Sequence, residues 1–149
     1  MHRASPQPQS AYRWFREIST QWKDNDVYGH INNAVHLLGS IRQLNGWLIE
    51  AGLLEIGRSQ TVGLVVSTAC QFFDEVKFPD QVTCGLRLAR IGNTSVVYEL
   101  GLFRNETSTS FANGSFTHVY VNATTRRPVA VTDQFKAALS TLGYRAPSE

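Results

Sequence analysis

Only two cysteines, Cys70 and Cys84, occur in 149 residues, and both sit inside apolar stretches. A disulfide framework is therefore excluded, and a reducing cytoplasm is the natural compartment. No apolar run approaches the ~20 residues that cross a bilayer as a helix, so no membrane partner is expected. An excess of charge is missing as well: 14 basic residues against 12 acidic ones give a net charge of +2. A dedicated nucleic-acid binder usually carries a strong basic surplus, so that class is disfavoured. The opening MHRASPQPQS has charge but no apolar stretch, and does not read as a secretory signal. The N-x-S/T triplets starting at Asn93, Asn105, Asn113 and Asn122 are then chance. Internal repeats and low-complexity segments are absent, and 42% hydrophobic with 17% charged residues excludes wholesale disorder.

What is present is enough for one domain. A chain of this size can bury roughly 70% of its unfolded surface. Residues 1–10, rich in Pro, Gln and Ser, are expected to be disordered. The single domain is expected over 11–145, with a loose tail over 146–149. Tyr12, Trp14, Ile18 and Trp22 share one parity, which predicts a half-buried strand. Ala34, Leu37, Leu38, Ile41, Leu44 and Leu48 recur at helical spacing. Asn32 or Asn33 can cap that helix and Gly52 can stop it. Gly39 and Gly46 inside it imply that something packs closely against it.

Beyond the helix the pattern is strand. Val62, Leu64, Val66, Cys70 and Phe72 alternate, as do Val82 to Leu88 and Val96 to Leu102. A last strand runs from Phe116 to Val121, and Thr132 or Asp133 can cap a short final helix over Phe135 to Leu142. Short loops make the sheet antiparallel and mostly a meander. The fold class is α+β, one sheet on one helix. Cys70, Cys84 and His118 fall on apolar parities and read as core residues.

The chemistry concentrates in Asp24-Asn25-Asp26-Val27-Tyr28-Gly29-His30-Ile31-Asn32-Asn33, just before the helix. Free N–H groups at a helix start attract negative charge and can hold an oxyanion. A nearby carboxylate can activate water or attack an acyl carbon. The same residues also read as turn and cap residues around a solvated histidine. Asp24, Asp26, His30 and His36 lack a settled ligand spacing, so neither a metal nor another cofactor is expected. No G-x-S-x-G elbow occurs, which argues against an α/β-type serine hydrolase. No N-P-x-H stretch occurs either, which argues against a hydratase that carries that motif.

The segment from Asp24 to Ala34 resembles the D-x-D-x-x-G-H-x-N-N motif of hotdog-fold acyl-CoA thioesterases, relatives of 4-hydroxybenzoyl-CoA thioesterase. Phe72 to Asp80, Leu88 to Ser95 and Val119 to Pro128 are similar to later stretches of that family, in order, so the resemblance covers about residues 12–131. It implies a curved antiparallel sheet around one long central helix, and a homodimer or dimer of dimers with sites at the interface. It implies hydrolysis of an acyl-CoA thioester, with Asp26 as general base or nucleophile. Asn33 would offer an oxyanion donor, and His30 would shape the site or add a hydrogen bond. Tyr28, Gly29, Asn32 and His36 would line the substrate. Arg90, Gly92, Asn93, Thr94, Ser95 and Arg126, with Arg127 as a further candidate, would meet the phosphates of coenzyme A. Arg87 and Arg90 are three apart, so at most one should reach a given ligand from a regular strand. His36 stands where related sequences commonly have tyrosine. A non-catalytic acyl-thioester binding module and a thioesterase for acyl-carrier-protein substrates are the alternative readings.

Overall fold

A computed structural model describes residues 5–55 and 57–144. The expectations for 1–4 and for the tail 146–149 lie outside the described residues. From Ser5 onward this stretch has hydrogen-bond partners among residues 108–113. The Gln7 and Gln9 N–H groups donate to Ser110 Oγ (2.9 Å) and the Ser108 carbonyl (3.0 Å), and Asn113 Nδ2 donates to the Ser5 carbonyl (2.8 Å). A polar, Pro-rich composition excludes a packed element but not an extended segment that pairs with a neighbouring loop.

The described residues form five strands and two α-helices: β1 (Trp14–Ile18), α1 (Asn33–Glu50), β2 (Thr61–Phe72), β3 (Val82–Ile91), β4 (Ser95–Arg104), β5 (Ala112–Asn122) and α2 (Asp133–Leu139). The sheet order is β1-β3-β4-β5-β2, and all pairs are antiparallel. The expected meander is β3-β4-β5, while β1 and β2 form the two edges. No described helix is long and apolar enough to cross a membrane.

Helix α1 starts where its cap chemistry dictates. The Asn32 side chain accepts from the Ala34 N–H at 2.8 Å, and the helix gives way at Ala51 to Gly52, with φ +75°. Leu44, Trp47 and Leu48 of α1 join Leu86, Leu100 and Phe116 of the sheet in one buried cluster. A Cβ at Gly39 would lie 3.4 Å from Ile18 Cγ2, and one at Gly46 would lie 3.0 Å from Arg16 Nη1. Strand β1 is thus what packs against the helix glycines.

Three strand expectations need correction. The first strand ends at Ile18, and Trp22 opens a short 3-10 turn with 73% of its surface exposed. In β2 the register shifts between Val65 and Ser67. The extra residue flips the parity. Gly63 and Val65 therefore share the core-facing side with Cys70 and Phe72, whereas Val62 and Leu64 do not. In β3 the register shifts between Leu88 and Arg90, so Arg87 stands opposite Glu99 and Arg90 opposite Val97. Arg87 and Arg90 consequently share a face instead of opposing each other. The final helix is shorter than expected: Thr132 Oγ1 caps α2 through the Phe135 N–H at 3.1 Å, and Ser140–Leu142 is a 3-10 turn.

Candidate active site

The motif closes on itself before α1 begins. The Asp26 N–H donates to the His30 carbonyl at 2.9 Å, and the Gly29 N–H to the Asp26 carbonyl at 3.0 Å. Gly29 has φ +80°, a region that glycine enters without the Cβ penalty. The Tyr28 N–H donates to Asp26 Oδ1 at 2.9 Å, which fixes that carboxylate in the turn. Asp24 braces the segment before it, since the Gln21 N–H donates to Asp24 Oδ2 at 2.9 Å.

Two staples join this turn to the loop after β2. The Ile31 N–H donates to the Val76 carbonyl at 2.7 Å, and the Phe78 N–H to Asn25 Oδ1 at 3.1 Å. Between turn, loop and helix start lies a cavity of about 490 Å³ lined on one side by Asp26, His30, Asn33 and His36. Tyr28 and Asn32 also border it, but Gly29 does not. Asn32 is committed to capping through its Oδ1. The Asn33 N–H, at the first helical position, has no hydrogen-bond partner among the described residues.

Six residues lining this cavity carry no assignment from the sequence: Ile31, Phe72, Phe73, Asp74, Glu75 and Val76. The available signal was the run of aromatics and acids directly after an alternating strand. Glu75 Oε2 lies 3.1 Å from His30 Nε2. His36 is buried, with Phe111 and Phe72 ring centroids 5.1 and 6.0 Å away. Burial drives the pKa of His36 down to about 4 against the opposing pull of Asp24, so the ring is neutral near pH 7.

The phosphate-binding candidates gather elsewhere. Arg90 and the turn Gly92-Asn93-Thr94-Ser95 lie beside the 122–131 segment: the Val131 N–H donates to the Asn93 carbonyl (2.8 Å) and the Tyr120 N–H to the Thr94 carbonyl (2.8 Å). Arg126, with φ 64°, sits in the turn that leaves β5. Arg90, Arg126 and Arg127 are exposed, whereas Arg87 is held by Glu99 at 3.0 Å and lies 4.8 Å over the Tyr12 ring. Ser95 pairs with Val119 at one end of the sheet, and Leu102 with Ala112 at the other. Phe72, which lines the cavity, pairs with that same Ala112. Seven residues of strand separate the two ends, roughly 25 Å. Within one chain, therefore, the two halves of the expected site do not meet.

Residues 20–139 match the thioesterase-like superfamily. The chain belongs to that family. This thioesterase-superfamily protein also matches the crystal structure of the PA5185 protein from Pseudomonas aeruginosa strain PAO1, with 40% identity and a TM-score of 0.90 over 97% of this chain and 100% of that one. A thioesterase from Thermus thermophilus, complexed with coenzyme A and Zn, matches at 22% identity and a TM-score of 0.72, over 85% of this chain and 92% of that one. BH1999 gentisyl-coenzyme A thioesterase matches at 16% identity and a TM-score of 0.74, over 85% and 99%. The last two likenesses bear on fold alone. No curated protein matches the sequence. The superfamily protein's α+β architecture is the hotdog fold, and the motif turn lies inside the matched span.

Proposed function

We propose that this superfamily member hydrolyses acyl-CoA thioesters to the free acid and coenzyme A, with Asp26 as the catalytic carboxylate. One observation carries the reading: Asp26 and the unpartnered Asn33 N–H border the same cavity. Asp26 takes a proton from a water that attacks the thioester carbonyl, or attacks it directly to give a mixed anhydride that water then opens. In either route the carbonyl oxygen gains charge, which the Asn33 N–H and the positive end of α1 stabilise. The C–S bond breaks, and the sulfur leaves as thiolate and takes up a proton. His30 borders the reacting centre, and neutral His36 with Phe72 forms an apolar wall for the acyl group.

The active form in this reading is a homodimer or dimer of dimers, each protomer's sheet wrapping α1. Strand β2 is a sheet edge, and Leu64, Val65 and Val66 are 38%, 45% and 60% exposed on it. Antiparallel pairing of β2 with a second copy sets the Thr61 end of one chain beside the Phe72 end of the other. The Arg90, Gly92–Ser95 and Arg126 end of one copy then approaches the Asp26 cavity of its neighbour. Coenzyme A bound to the related Thermus thermophilus thioesterase supports this class of substrate.

Release of free thiol from a panel of acyl-CoA esters tests the activity. Asp26→Ala is expected to lower kcat by roughly 10²–10⁴, the range for losing a positioned base. Asp24→Ala should cost less turnover and more loop order. A folded Asp26→Ala protein, checked by circular dichroism, that keeps most of its turnover rejects the mechanism. Binding of acyl-CoA without thiol release means a non-catalytic module, and turnover confined to acyl-carrier-protein thioesters moves the substrate class.

A further inference from the structure

Glu75 lies outside the motif turn, on the loop after β2, and its side chain is 71% exposed. Its backbone is nevertheless fixed. The Glu75 N–H donates to Asp74 Oδ1 at 2.8 Å, and its carbonyl accepts from Arg104 Nη1 at 3.2 Å. The next residue, Val76, is 2% exposed and accepts the Ile31 N–H that staples this loop to the motif. The carboxylate is thus carried on anchored chain to within 3.1 Å of His30 Nε2. An exposed contact of this kind adds little to folding. What the contact favours is one orientation of the ring, with Nε2 towards Glu75 and Nδ1 left for another partner.

We propose that Glu75 is a positioning residue for His30. It holds the tautomer and rotation of the imidazole, so that Nδ1 meets the attacking water or the departing sulfur in one orientation. The proposal rests on the hydrolase reading above and deepens it. A Glu at this place, 45 residues from His30 in sequence, becomes part of the site only because the two loops are stapled.

Steady-state kinetics of the full chain on its best acyl-CoA ester tests the role. Glu75→Ala should lower kcat about tenfold and leave KM within about twofold, the signature of a misaligned group rather than lost binding. Its melting temperature should match the parent. Glu75→Gln keeps an acceptor oxygen and should restore most of kcat. In a His30→Ala background, Glu75→Ala should cost nothing further, because coupled residues are not additive. A parental kcat in Glu75→Ala, or the same loss with and without His30, overturns the proposal while Asp26 keeps its role. A parent with no turnover on any ester overturns the hydrolase reading and this one together.

Discussion

Acidification from pH 7.5 to 5 should destabilise the fold by several kcal/mol, through two histidines that the core holds neutral. His118 is 2% exposed, and neither ring nitrogen has a partner among the described residues. Tyr98 and Tyr120 flank it with ring centroids at 5.1 and 6.2 Å, and a Cβ at Gly63 would lie 2.8 Å from its Nδ1. Only a glycine there leaves the imidazole its place. Burial lowers its pKa from the ordinary 6.5 to about 4, and burial does the same to His36 against the charge of Asp24. The folded pKa lies below the unfolded one, so the unfolded chain takes up protons first. Stability is full above pH 6.5 and is lost as pH falls from there towards 4.

Linkage gives about 2 kcal/mol per histidine between pH 7.5 and 5, hence about 4 kcal/mol for both. For a chain of this length that lowers the melting temperature by roughly 8–16 °C. Urea unfolding followed by tryptophan fluorescence, at fixed ionic strength and protein concentration, measures the slope. His118→Phe keeps an aromatic ring, slightly larger than the imidazole, and removes one titrating group, so it should roughly halve the loss. A flat profile for the parent refutes the reasoning, and so does an unchanged slope in His118→Phe.

Leu44 is fully buried between α1 and the sheet; Leu44→Ala should lose about 2–5 kcal/mol, read as a lower urea midpoint at constant m. Light scattering at micromolar concentration should give a dimer or tetramer, and lysines at Leu64 and Val66 should shift it towards monomer; a fully active monomer contradicts the assembly. Replacing Arg90, Arg126 or Arg127 by Ala should raise KM for acyl-CoA with little change in kcat, an effect that weakens with salt as charges are screened over ~10 Å at 0.1 M. If all three variants match the parent, coenzyme A binds elsewhere.

The helices were legible because their signals are local. Asn32 caps α1, Gly52 follows its end, and Thr132 caps α2, each through contacts within a few residues. Strand existence was legible for the same reason. Strand faces were not, once a bulge intervened. A two-residue period assigns sides only while the ladder stays in register, and the shifts near Val66 and Ala89 depend on β5 and β4 as much as on their own strands. Arg87 and Arg90 were assigned to opposite faces on that account. Trp22 failed differently: its parity fits β1, but the chain turns after Ile18 and leaves it outside.

The candidate site divides along the same line. Asp26, His30 and Asn33 come together because they are neighbours in one turn and its helix start. Phe72 and Glu75 join them only through the Ile31–Val76 and Asn25–Phe78 hydrogen bonds, which no local pattern announces. The distance to the Gly92–Ser95 turn, in contrast, could have been read from order alone. The loop holding Glu75 enters β3 at Val82, and the turn leaves it at Ile91, so a ten-residue strand separates the two. At ~3.3 Å per residue that is about 30 Å. A thioester at Asp26 whose phosphates met Arg90 of the same chain would have to run the length of the sheet. In the proposed assembly the two groups come from two chains, because antiparallel pairing across the exposed β2 edge would bring opposite ends of the sheet together.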